Sequence, residues 1–204
     1  MATARIEFVL FDLGGVLVDP GGVGPMRALA GLETDEELWS RWLSCRWVRA
    51  FEAGRCSSED FAAGVVGDWG LMLEPAAFLE AFGGWQGGPY PGAVELVTTV
   101  RDTARVGCLS NTNAFQWDTH FEGAPIVEAF EFRFLSFELG MVKPDSEIFE
   151  EVASRLPVAR EKVLFLDDNA VNVAGAEAIG FTARHVRGID ETRLALESAG
   201  VLAT

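Results

Sequence analysis

Apolar residues along this chain follow two rhythms. Short, mostly apolar runs at 6–11, 105–109, 131–135 and 162–166 are each followed by polar or acidic residues, the pattern of strands buried on both faces. A weaker run of the same kind lies at 182–186. Between the runs, helical spacing predicts helices over 92–104, 146–156 and 170–179, the last closed by Gly180. Strand alternating with helix implies a parallel sheet covered on both faces. Ligands of such sheets bind beyond the carboxyl ends of the strands, so Asp12, Ser110 and Asp167 are expected to converge.

The alternation fails between about Pro20 and Pro89, where the patterns are helical: 35–53, 58–66 and 75–82. Ser57 or Ser58 suits an N-cap before Glu59 and Asp60, and Glu74-Pro75 suits a helix start. Gly83-Gly84 and Gly87-Gly88-Pro89 form a flexible return. The expected fold is therefore a doubly wound, Rossmann-like α/β sheet of about five strands, residues 1–19 and 90–204, with a helical cap, residues 20–89, inserted after the first strand.

Composition narrows the partners. Among 204 residues, 49% are apolar and only 23% charged, with 15 Phe and 6 Trp, which supplies a core and excludes wholesale disorder. The net charge of −15 repels nucleic-acid phosphates and anionic membranes, so neither is an expected partner. Any anion site must create its own positive potential from a cation, a lysine or backbone N–H groups. Cys45, Cys56 and Cys108 are sparse and odd in number, predicting no structural disulfide and a reducing compartment. With no leader-like start and no apolar stretch near the roughly 18 residues of a membrane span, a cytoplasmic monomer or homodimer is expected.

Four segments carry the chemistry: Asp12-Leu13-Gly14-Gly15-Val16, Leu109-Ser110-Asn111, Val142-Lys143-Pro144 and Phe165-Leu166-Asp167-Asp168-Asn169. In order and spacing they resemble the four motifs of the haloacid dehalogenase-like hydrolase superfamily, and the inserted helices resemble its first type of cap. Ser110-Asn111-Thr112-Asn113, the run 138–144 and Asp167-Asp168-Asn169 further resemble the branch containing the bacterial α-D-glucose-1-phosphate phosphatase.

Taken singly, each segment has a plain structural reading: Asp12 as a turn residue, Asp167 and Asp168 as charges at a helix N-terminus, Ser110 as a cap, Lys143 as a surface lysine. Their convergence points elsewhere. A carboxylate facing a cleft can form a covalent ester and split one hard step into two. Three carboxylates in one cleft repel unless a hard cation such as Mg²⁺ lies among them. The resemblance implies Asp12 as nucleophile, and Asp12, Asp168 and the main-chain oxygen of Gly14 as metal ligands, with Asp167 supporting them. It also implies that Ser110, the N–H of Asn111 and Lys143 hold the phosphoryl group.

One position departs from the pattern. Phosphatases of this superfamily usually carry a second Asp two residues after the nucleophile, as general acid and then base, and here Gly14 stands there. Proton transfer of that kind is commonly worth about 10²–10⁴ in rate. Asp19 and His120 are possible substitutes, though Asp19 also suits a turn and His120 a packing role. Arg46, Arg49 and Glu52 read as a solvated cap face, and the cap's Trp and Phe residues as its core. The expected activity is Mg²⁺-dependent hydrolysis of a small phosphorylated metabolite, sugar phosphates first. Alternatives are a metal-free 2-haloacid dehalogenase and a non-catalytic phosphate-binding protein.

Overall fold

The computed structural model describes residues 5–203. The first strand, β1 (Phe8–Phe11), is buried at every position, as a run of four large apolar residues must be when helices cover both faces of the sheet. Five helices follow: α1 (Val23–Leu29), α2 (Asp35–Ser44), α3 (Arg46–Glu52), α4 (Ser58–Trp69) and α5 (Pro75–Gly83). The chain then runs through α6 (Ala93–Val100), β2 (Arg105–Ser110), α7 (Ala114–His120), α8 (Pro125–Glu128), β3 (Phe132–Leu135) and α9 (Ser136–Leu139). It ends with α10 (Ser146–Arg155), β4 (Val163–Asp167), α11 (Ala170–Ala178), β5 (Thr182–His185) and α12 (Gly188–Ser198).

All five strands are parallel, in the order β3-β2-β1-β4-β5. From β1 the chain winds outward through β2 to β3, then returns to lay β4 on the other side of β1. The winding direction thus reverses between β1 and β4, the switch point at which open sheets leave a crevice. Val9, Phe11, Val106 and Leu166 pack on one face with Leu96, Val97, Val100 and Leu196 of α6 and α12. Phe8, Leu10, Leu109 and Phe165 pack on the other with Ile148, Phe149 and Val152 of α10. The doubly wound α/β sheet expected from the sequence is therefore present.

Helices α1 to α5 share a separate cluster rich in aromatic rings, in which Phe51 and Phe61 stack at 4.3 Å and Phe61 meets Phe82 at 5.0 Å. Ser57 is the N-cap of α4, its hydroxyl accepting from the Asp60 N–H, and Pro75 opens α5. The single helix expected over 35–53 is two helices. Cys45 is extended (φ −71°, ψ 119°), which breaks the helical path, and its N–H donates to the Trp42 carbonyl to close α2 before α3 begins. Helices α1, α7, α8, α9 and α12 lie outside the elements expected from the pattern; all but α12 are seven residues or shorter. Strands β2 and β4 each run one residue further than expected, so Ser110 and Asp167 close their strands. All three cysteines are free, and among the described residues no helix is long and apolar enough to cross a membrane.

Candidate active site at the carboxyl ends of the strands

Asp12 follows β1 directly and extends its ladder, donating its N–H to the Leu166 carbonyl at 2.8 Å. Its Oδ1 accepts from the Leu13 N–H at 2.8 Å. The chain then closes into a tight loop in which the Leu13 carbonyl accepts from Leu17 and Val18. Gly15 in this loop has φ +73°, and a Cβ there would lie 2.2 Å from Asp168 Oδ2. Only glycine lets the loop and the Asp168 carboxylate approach so closely.

Lys143 enters from the loop after α9 and is almost wholly buried. Its Nζ donates to the Leu109 carbonyl at 3.0 Å and to Asp167 Oδ2 at 2.7 Å, and stands 2.9 Å from Asp12 Oδ1. Asn111 holds that loop by two bonds to the Lys143 backbone: its Nδ2 donates to the carbonyl at 3.0 Å and its Oδ1 accepts from the N–H at 2.9 Å. The Asn111 side chain is thus a clasp, while Ser110 beside it lines the cleft. Buried Ser136 ties the loop after β2 to the end of β3, accepting from the Thr112 N–H and donating to the Thr112 carbonyl, both at 2.9 Å.

Asp167 is fully buried and heavily supported. It accepts from the Asn169 N–H at 2.8 Å, from Asn172 Nδ2 at 3.0 and 3.1 Å, and from Lys143. Asn172 Oδ1 finds no hydrogen-bond partner among the described residues. Oxygens of Asp12, Asp167 and Asp168 lie within 4.8 Å of one another. Burial raises the Asp12 carboxyl well above the ordinary range; Lys143 opposes that rise, and Asp167 and Asp168 add to it. Burial, then Asp167, raises Asp168 as well. Burial works against the charge of Lys143, yet Asp12 and Asp167 outweigh it and hold the ammonium above the usual lysine range. Three carboxylates against one ammonium leave negative charge uncompensated in a pocket of oxygen donors, which is the donor set and charge that suit Mg²⁺.

These groups line a cleft of about 540 Å³ together with Met26, Trp39, Trp42, Glu52 and Phe82 of the helices α1, α2, α3 and α5. Asp12, Gly14, Ser110, Asn111, Lys143 and Asp168 all line it, and Asp167 lies directly beneath. Glu52 belongs to this lining, a correction to its reading as a solvated residue. Arg46 does sit on the surface, paired with Asp68 at 3.1 Å. Asp19 and His120 do not line the cleft. Asp19 accepts from the Gly21 N–H at 2.9 Å, a turn role, and His120 Nε2 bonds the Gly83 carbonyl at 2.7 Å. Residues absent from the sequence reading are Asn172, Ser136 and His185, whose Nε2 bonds the Asp168 carbonyl at 2.8 Å. Asn172 follows Asp167 by five residues, which places it one turn into α11 and facing back to the strand end; that offset was the one available signal.

A family model for haloacid dehalogenase-like hydrolases matches residues 6–180. The chain belongs to this hydrolase family. The D-ribitol-5-phosphate phosphatase of Bacteroides thetaiotaomicron is 26% identical in an alignment of 184 positions that covers 86% of this chain and 89% of the relative. The (S)-2-haloacid dehalogenase 2 of a Pseudomonas species is 26% identical in an alignment of 206 positions that covers 96% of this chain and 89% of that one. In the same fold is a HAD family enzyme from Bacteroides thetaiotaomicron, solved in complex with magnesium and inorganic phosphate. It matches with a TM-score of 0.70 at 24% identity, covering 93% of this chain and 98% of its own.

Proposed function

We propose that this hydrolase is a Mg²⁺-dependent phosphomonoesterase acting on a small phosphorylated metabolite, with Asp12 as nucleophile. The observation that carries the reading is the Asp12–Lys143–Asp167 arrangement, with Asp168 beside it, at the switch point of the sheet. Asp12 and Asp168, with the Gly14 carbonyl, would hold Mg²⁺, and Asp167 would act by holding Lys143. When bound, the ion neutralises charge on the phosphoryl oxygens and lets an anion approach the carboxylates. Ser110 and the Asn111 N–H would hold the phosphoryl oxygens, and Lys143 would aim Asp12 and oppose its protonation. Attack by Asp12 on phosphorus would form an aspartyl-phosphate, which water then hydrolyses. The cap would close over the substrate and exclude bulk water.

A sugar 1-phosphate such as glucose 1-phosphate is the first candidate substrate, because the anomeric oxygen is a good leaving group and because of the branch that 110–113 and 138–144 resemble. The ribitol-phosphate relative makes a polyol phosphate the second. The dehalogenase relative supports halide displacement as a competing reading. Against it, Asp167 and Asp168 would repel the carboxylate of a 2-haloacid in a metal-free cleft.

Phosphate release from glucose 1-phosphate, glucose 6-phosphate, ribitol 5-phosphate and p-nitrophenyl phosphate, with Mg²⁺ and with EDTA, tests this directly. Release is expected with Mg²⁺ and is expected to vanish with EDTA. Halide release from 2-chloropropionate without phosphate release, or no turnover of any substrate, would sink the phosphatase reading. The metal site has its own test. Gly15→Ala is expected to displace the Asp168 carboxylate and to weaken Mg²⁺ binding, read by titration calorimetry, at least about tenfold. Unchanged affinity would remove Asp168 from the ligand set.

A further inference from the structure

The glycine at position 14 leaves the reaction without a proton donor on the floor of the cleft. Resting on the phosphatase reading, we infer that Glu52 of the cap supplies it, acting as general acid toward the leaving group and then as general base toward water. In phosphoryl transfer the leaving oxygen lies roughly in line with the nucleophile and on its far side. Glu52 lines the same cleft as Asp12 but comes from the inserted helices rather than from the strand ends, so it can approach the leaving oxygen from another element than the nucleophile.

The position of Glu52 is built rather than incidental. It is the last residue of α3, and the turn that follows is docked on the core segment leading to Lys143. Gly54 (φ +63°) lies so close that a Cβ would stand 2.6 Å from the Phe137 carbonyl. Arg55 donates to the Gly140 carbonyl at 2.5 Å, and Arg49 on the same helix pairs with Asp145 at 2.6 Å. These contacts bracket Glu52 and fix it against the loop that carries the catalytic lysine. Its Oε1 accepts from the Trp42 indole at 3.4 Å, which orients the carboxyl.

The electrostatics suit the task. Burial pushes the Glu52 carboxyl up to about 7, against the lowering effects of the Trp42 hydrogen bond, Lys143 and Arg49. A donor in that range is partly protonated at neutral pH and can both give and take a proton there. The other carboxylate on the cap side of the cleft, Glu36, is exposed in the first turn of α2. His185 is engaged with the Asp168 carbonyl.

The steps balance. As Asp12 attacks phosphorus, the bond from phosphorus to the ester oxygen breaks, and the Glu52 proton passes to that oxygen, releasing an alcohol. The Glu52 carboxylate then takes a proton from the water that attacks the aspartyl-phosphate. The Asp12–phosphorus bond breaks, phosphate departs, and both carboxyl groups return to their starting states.

An alkyl ester needs the proton, whereas p-nitrophenolate leaves without one, and the comparison separates catalysis from structure. Glu52→Gln is expected to lower kcat/KM for ribitol 5-phosphate by about 10²–10⁴ and to leave kcat/KM for p-nitrophenyl phosphate within about threefold. Equal losses on both esters, or none on the alkyl ester, would overturn the inference. A second measurement does not depend on how that variant folds. For the wild type, kcat/KM for ribitol 5-phosphate is expected to fall as pH rises through about 7, where Glu52 loses its proton, while kcat/KM for p-nitrophenyl phosphate shows no such fall. The same fall on both esters, or on neither, would overturn the role of Glu52. Wild-type turnover of the aryl ester alone would do the same while sparing the phosphatase reading, and no turnover of either ester would end both.

Discussion

Asp12→Asn is expected to reduce Mg²⁺-dependent phosphate release to below about 10⁻⁴ of wild type, the scale on which loss of a covalent nucleophile acts. The amide cannot form an acyl phosphate and offers one fewer anionic oxygen to a cation. Its fold should survive. Asp12 is a buried carboxylate that its surroundings hold well above the ordinary range, so a neutral side chain of the same shape removes a desolvation cost along with a contact to Lys143. Lys143 keeps Asp167 and the Leu109 carbonyl as partners. Chromatography and thermal melting should therefore show a folded, inactive protein. In the wild type, acid quenching during turnover should leave a phosphate mass on the peptide containing residue 12. A phosphate found on another residue, or an Asn variant retaining one per cent of activity or more, would remove Asp12 as nucleophile.

The second large effect is on stability. Lys143 is the one ammonium among three clustered carboxylates, and truncation by Lys143→Met leaves the buried carboxylates of Asp12 and Asp167 without their cation. Breaking a buried pair from one side costs about 3–5 kcal/mol. At about 2–4 °C per kcal/mol for a chain of this size, the melting temperature should fall by roughly 6–20 °C without metal. Added Mg²⁺ should recover part of the loss, because a divalent cation among the same oxygens replaces the missing charge. A variant that melts within about 2 °C of wild type in EDTA would show that the ion pairs contribute little to the fold.

The site's floor was legible before the fold was known, for a local reason. Asp12, Ser110 and Asp167 each end a short apolar run, and parallel strands buried on both faces leave their polar residues at the carboxyl ends. Lys143 was legible through the resemblance of the Val142-Lys143-Pro144 segment. Its contacts were not, because they come from β1, β2 and β4, more than twenty residues away in either direction. The break at Cys45 escaped the periodic pattern, which continues through it. What ends α2 is the extended backbone of Cys45, the conformation of a single residue that a hydrophobic rhythm does not record.

Glu52 marks the boundary between the two kinds of knowledge. By itself, the sequence determined a parallel α/β sheet, a helical insertion after its first strand, an acidic centre at the strand ends and the absence of the usual acid at Gly14. Each of these is written in residues close together along the chain, where backbone propensity and side-chain periodicity act. Only the tertiary structure decided that Glu52 faces the cleft, that Asp19 and His120 do not, and that Asn172 and Ser136 brace the centre. Those outcomes depend on how the inserted helices pack against the sheet. Burial there sets both the direction of the Glu52 carboxyl and its affinity for a proton, and burial belongs to the folded whole.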